Sequence, residues 1–181
     1  MITQIDVRGV LARCVSDVQY DLVTRPTGRA VRTSIETELA ALSGRTVVVL
    51  DFSQVRIIDC SCADEIVAKL VQASLATDVP DAIFLLRGLE DEQIDDVEAV
   101  LSRQELALVA ESGGALRLVG AVQEAARVLF ARLAARGASL AEDLAAELGR
   151  PVDEVRAALD ELATRRLVLR EAGGYRTPTA A

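Results

Sequence analysis

The chain contains no histidine, which excludes Ser-His-Asp and Cys-His catalysis and every metal site that requires imidazole. Cysteine is scarce and odd in number: Cys14, Cys60 and Cys62. Two cysteines one residue apart close too tight a ring for unstrained S–S geometry, so reduced thiols are expected. Three thiols without histidine also make a poor zinc site unless a carboxylate or a second chain completes it. Phosphate-binding signatures are missing, since neither a G-x-x-x-x-G-K-[ST] loop nor a G-x-G-x-x-G turn after a strand occurs. No charge-free apolar run approaches the roughly 18 to 20 residues of a membrane span. Met1 to Val10, with Asp6 and Arg8 alternating among apolar residues, lacks the marks of a secretory signal. These absences predict a cytoplasmic protein away from membranes that is not an enzyme, with no catalytic residue, metal or cofactor.

What is present is a foldable chain. Its 181 residues are 51% hydrophobic, enough for one substantial core, or for a core of about 120 residues with a smaller appendix. The net charge of −8 is uneven: residues 1 to 120 hold 11 Lys or Arg against 19 Asp or Glu, whereas 121 to 181 hold 9 against 9. From Ala121 the composition turns to alanine, leucine and arginine, which predicts two units, residues 1–120 and 121–181, divided near Gly120.

The first unit reads as α/β. Ile2 to Cys14 alternates around Gly9 as a strand hairpin would. After a loop from Val15 to Pro26, Thr27 can cap a helix whose Val31, Ile35, Leu39 and Leu42 recur at helical spacing up to Gly44. Val47 to Asp51 is a continuous apolar run of the kind buried on both faces of a sheet, and it predicts the central strand. Val55 to Ile58 leads into a helix with Ile66, Val67, Leu70, Val71 and Leu75 on one stripe. Ala82 to Leu86 predicts a strand, Asp91 to Leu101 an acidic helix with Glu90 to Glu98 solvated, and Leu106 to Val119 a strand or hairpin.

The second unit holds three helical patterns, marked by Val122 to Leu133, by Leu140 to Leu148 after Ser139, and by Val152 to Leu162 after Pro151, with Gly137 and Gly149 at the junctions. Leu167 to Leu169 and Tyr175 to Thr177 can then pair around the turn Glu171-Ala172-Gly173-Gly174. Three helices and a small hairpin resemble a winged helix-turn-helix domain, although an alanine-rich three-helix bundle with a tail shares much of the pattern.

"VVVLDFSQVRIIDCSCADEIVAKLV", residues 47 to 71, resembles the core of a STAS domain, the fold of bacterial anti-sigma factor antagonists. It is closest to STAS-like variants whose turn runs Ser-Ser-Phe-Ala-Asp-Glu, matched here by Ser61-Cys62-Ala63-Asp64-Glu65. The resemblance implies a STAS-like domain with a mixed sheet and helices over residues 1–120. It also implies a protein partner, an anti-sigma factor or a serine kinase of the histidine-kinase-like ATPase type. The partner or regulatory surface would include Asp59, Cys60, Ser61, Cys62, Asp64 and Glu65. In the family the first hydroxyl residue after the Asp is phosphorylated, and this chain has Cys60 there, with Ser61 at the second position.

The residues themselves leave three roles open for this stretch. Ser61 can be an N-cap with Asp64 approximating a capping box, or a phosphorylation switch at a helix N-terminus, against which Asp59, Asp64 and Glu65 would act. Cys60 and Cys62 suit small core-facing positions, or thiols lowered in pKa by the helix N-terminus. Upstream, Arg25, Arg29 and Arg32 can cradle a phosphate or a partner's carboxylate, or stay solvated and pair with Asp21 and Glu36. In the winged helix, DNA contact would fall to Arg156, Arg165 and Arg166 and to Arg170 and Arg176 of the wing, a thin basic footprint beside Asp153, Glu154, Asp160 and Glu161. Protein contact or homo-oligomerisation is the other use, and a DNA-binding regulator with a STAS-like sensor or dimerisation half is the alternative function.

Overall fold

A computed structural model describes residues 1–15, 21–76 and 81–179. The protein is α/β with one five-stranded mixed sheet in the order β1-β3-β5-β6-β7. β1 (Ile2–Asp6), β3 (Thr46–Asp51), β5 (Ala82–Arg87) and β6 (Ala107–Ser112) are parallel, and β7 (Ala115–Gly120) returns antiparallel through a tight turn at Gly113 and Gly114. The Val47–Leu50 run of β3 has two sets of neighbours. Val48 and Leu50 belong to one apolar cluster, Val47 and Val49 to another. A strand buried on both faces needs no polar alternation, which is why it reads as an unbroken apolar run.

One face of the sheet is covered by the crossover helices. α1 (Val7–Cys14), α2 (Arg25–Ala40), the helical rod of residues 60–75 and α5 (Asp91–Arg103) place Val10, Leu11, Val31, Ile35, Ile66, Leu70, Ile94 and Val97 on that side. The rod comprises α3 (Cys60–Ala63), a π-helical turn (Asp64–Ala68) and α4 (Lys69–Leu75). The opposite face is covered by the C-terminal segment. Leu129, Phe130 and Leu133 of α6 (Glu124–Arg136), Leu159 and Leu162 of α8 (Val152–Thr164), and Leu167 and Val168 form one cluster with Val47, Val49, Ile83, Leu85, Val109 and Leu118. Residues 121–179 therefore pack directly on the sheet.

Within that segment, α7 (Ala141–Leu148) precedes α8, and β8 (Leu169–Glu171) pairs with β9 (Gly174–Arg176). Ser139 joins this hairpin, since its N–H donates to the Tyr175 carbonyl and its carbonyl accepts from the Tyr175 N–H, both at 2.9 Å. A Cβ at Gly174 would lie 2.3 Å from the Ser139 carbonyl oxygen, and the φ of 115° there also disfavours any side chain.

Several local expectations differ from the structure. Ile2 to Cys14 is a strand followed by a helix, because Val7, Val10 and Leu11 are all buried at i, i+3 and i+4, a helical spacing that overrides the alternation around Gly9. The middle of the sheet is β5, with β3 next to the edge strand β1. Thr24 caps α2, accepting from the Thr27 N–H at 3.3 Å, with Pro26 in the first turn. Of the loop expected from Val15 to Pro26, residues 16–20 lie outside the described residues, and Asp21–Leu22 (β2) forms a parallel ladder with Ile57–Ile58 (β4). Ser139 opens no helix, since the cap position of α7 is Leu140. Among the described residues, no helix is long and apolar enough to cross a membrane.

Candidate functional site

The β2–β4 ladder fixes the entry to the 60–75 rod, because the Asp59 N–H donates to the Leu22 carbonyl at 2.9 Å. Asp59 is the N-cap. Its Oδ1 accepts from the Cys62 N–H at 2.8 Å and from the Ser61 hydroxyl at 2.8 Å, which holds the carboxylate below the ordinary aspartate range despite the opposing effect of burial. Ser61 is thus inside the first turn, and the N-cap role expected of it falls to Asp59, whose carboxylate reaches two donors where the hydroxyl would reach one.

Cys62 is fully buried, its thiol donating to the Thr24 carbonyl at 3.1 Å. Burial, helped by the Asp59 charge, pushes this thiol up to about 11. Cys60 is exposed rather than core-facing, its Sγ 3.8 Å from Asp96 Oδ1, because it opens the rod at its first position, whereas burial within α3 begins at Cys62 and Ala63.

The two clusters singled out in the sequence meet here. Gly28 of α2 lets the helices touch: a Cβ there would lie 3.0 Å from Glu65 Cβ and 3.1 Å from Cys62 Cα. This approach sets the α2 arginines around Glu65, whose side chain is 0% exposed. Its Oε1 accepts from Lys69 Nζ at 2.6 Å and from Arg25 Nη1 at 2.9 Å, with Arg29 at 4.0 Å; Arg32 stands 3.6 Å from Oε2. Arg25 also donates to Asp64 at 2.6 Å, and Gln104 Nε2 donates to the other Asp64 oxygen at 2.6 Å. Burial would raise the Glu65 carboxyl, but the bonds from Lys69 and Arg25 hold it below the usual range; the Arg25 and Gln104 bonds do the same for Asp64. Arg32 pairs with Glu36, whereas Asp21 is taken by Arg56 at 3.0 Å.

Around this cluster the surface is partly apolar. Asp21 and Ile57 are register partners and share the face of the ladder opposite the buried Leu22 and Ile58, and Ile57 and Val23, the residue after β2, are each 45% exposed. Arg56 beside them is among the most solvated arginines of the surface. Sequence reasoning missed Val23, Ile57, Lys69 and Gln104. The i, i+4 spacing of Glu65 and Lys69 was a legible signal for one of them. Adjacent Ile57 and Ile58 was another, since neighbours on a strand face opposite sides and one had to point outward.

The five arginines expected to meet DNA all have protein acceptors. Arg156 bonds Glu142 and lies 3.3 Å from Asp153; Arg165 donates to the Ala121 carbonyl at 2.8 Å; Arg166 donates to the Ala82 carbonyl at 3.1 Å, near Asp81. Arg170 lies 3.0 Å from Asp160 and over the Tyr175 ring, and Arg176 bonds Glu171 at 2.6 Å. On α8 the exposed positions include Asp153, Glu154 and Glu161. Among the described residues, no group of three or more Cys, Asp or Glu side chains is disposed to hold a metal ion. Comparisons of the chain with protein-family models, with curated proteins and with solved structures return no match.

Proposed function

We propose that the chain is a non-catalytic bacterial regulatory protein whose STAS-like half, residues 1–120, binds a protein partner, while a winged-helix half, residues 121–181, relays or anchors the signal. The observation that carries this reading is the exposed Val23–Ile57 pair beside Cys60, Ser61 and the Arg25–Asp64–Glu65 cluster. Two β-branched side chains left in water at the end of the β2–β4 ladder, near charges already held in ion pairs, suit a protein interface better than a reaction centre. By the resemblance in residues 47–71, the partner class is an anti-sigma factor or a serine kinase of the histidine-kinase-like ATPase type. The helix, bridge, helix, helix, hairpin order of residues 124–176 supports the winged-helix reading.

The alternative is DNA binding through α8 and the wing. The acidic exposed face of α8 and the internal pairing of Arg156, Arg165, Arg166, Arg170 and Arg176 weigh against it, because phosphate contacts need cations that are free to neutralise phosphates. The deciding experiment is affinity capture from cells that express the protein, comparing wild type with the Val23→Asp/Ile57→Asp variant, alongside a low-salt gel shift with genomic fragments. A protein captured by the wild type and lost by a folded variant, with no shifted DNA, is expected. A salt-sensitive shift abolished by Arg170→Ala and Arg176→Ala would favour the alternative.

A further inference from the structure

We propose that the cleft between the carboxyl ends of β5 and β6 and helix α6 binds a small zwitterion, of the class of free amino acids with an apolar side chain. The cleft has a volume of about 610 Å³, within the usual range for small-molecule sites, and lies where the strand ends of parallel sheets open to ligands. Arg87 and Glu111, register partners at the last rungs of β5 and β6, form one wall. Leu116, Ala131 and Ala134 supply an apolar side and Thr177 a hydroxyl.

The pairing of the two charges defines the ligand. Arg87 Nε and Nη2 both donate to the same oxygen, Glu111 Oε2, at 3.1 and 2.8 Å. Among the described residues, Arg87 Nη1 and Glu111 Oε1 have no protein partner. Arg87 does not turn to Asp51, its other register partner, because Asp51 is occupied by the Gln4 amide at 2.7 Å and by the Ser53 N–H at 2.9 Å. The wall therefore offers one cationic donor and one anionic acceptor side by side, both about 30% exposed. A phosphate would meet a cation already neutralised by Glu111, and a metal ion would find one carboxylate. An apolar molecule would cover two charged atoms without bonding them. A molecule carrying an ammonium and a carboxylate a few ångströms apart satisfies both, with its side chain against the alanines.

Isothermal titration calorimetry of the full chain with L-leucine, N-acetyl-L-leucine and L-leucinamide tests this. Leucine is expected to bind with a dissociation constant on the order of 1 mM or below, and each blocked analogue, lacking one charge, at least about tenfold more weakly. Arg87→Met and Glu111→Gln should each remove leucine binding, while the exchange Arg87→Glu/Glu111→Arg should restore it. Ala131→Trp, at an exposed position of α6, should block the cleft without touching the ion pair, which keeps the test decisive if a charge variant fails to fold. Equal binding of the blocked analogues, no heat from leucine, alanine or methionine up to about 20 mM, or leucine binding unchanged by Ala131→Trp would overturn the proposal.

Discussion

The Ser61 hydroxyl donates to Asp59 Oδ1 at 2.8 Å, and the same oxygen accepts the Cys62 N–H at 2.8 Å. Serine and aspartate thus act as a unit in which the carboxylate caps and the hydroxyl supports it. Asp59→Ala is expected to lower stability by about 1 to 2 kcal/mol and Ser61→Ala by roughly 0.5 kcal/mol. Ser61→Asp sets a second carboxylate against Asp59 and should destabilise more than Ser61→Ala does. Urea unfolding of the three variants checks the order, and equal losses for Asp59→Ala and Ser61→Ala would show that the cap is shared.

Acid stability should report on Glu65. Its carboxyl titrates below the unfolded value of about 4.3, because bonds from Lys69 and Arg25 outweigh burial. A depressed carboxyl stabilises the fold fully above the unfolded pKa and loses that contribution as pH falls through the folded pKa; Asp59 and Asp64, also depressed, act in the same direction. Unfolding free energy is expected to be flat from about pH 7 to pH 5 and to fall below about pH 4. Glu65→Gln should lower stability at neutral pH by about 1 to 3 kcal/mol, since it leaves a cationic cluster uncompensated, and should make the acid decline shallower. An unchanged acid slope would assign the decline to other carboxylates.

The thiols should separate by reactivity. Cys62 is buried with its thiol pushed up to about 11, whereas Cys60 is exposed. Ellman's reagent at about pH 8 is expected to modify Cys60 in the native protein and Cys62 only on unfolding, because the thiolate is the reactive form. Rapid native modification of Cys62 would mean that the 60–75 rod opens locally.

Cutting the chain after residue 120 tests how far the two halves depend on each other. Such a fragment would expose Val47, Val49, Ile83, Leu85, Val109 and Leu118, and each such side chain contributes roughly 1.5 to 3 kcal/mol when fully buried. That sum rivals the whole stability of a typical domain, about 5 to 15 kcal/mol. The fragment is expected to aggregate or bind a hydrophobic dye, and limited proteolysis should spare Gly120, which is buried, with the following Ala121 N–H donating to the Leu106 carbonyl at 2.8 Å. A soluble, cooperatively folding fragment would show that the sheet tolerates an open face.

By itself the sequence determined the features whose cause is local. The Val47–Leu50 run had to be a strand covered on both sides, and Gly137 and Gly149 had to end helices, with φ of 80° and 62°. Periodicity and turn chemistry act over a few residues, so they are legible there. Ile2 to Cys14 misled because alternation and helical spacing overlap across Gly9, and the burial of Val7, Val10 and Leu11 under α2 and the sheet decided between them. Tertiary structure alone brought Arg25 to Glu65 across 40 residues, through an approach that Gly28 permits. It also chose the second cover of the sheet and consumed Arg165 and Arg166 on the Ala121 and Ala82 carbonyls. An amphipathic pattern states which side of an element is apolar, not which distant element will meet it, and a charge finds its partner only once those faces have packed.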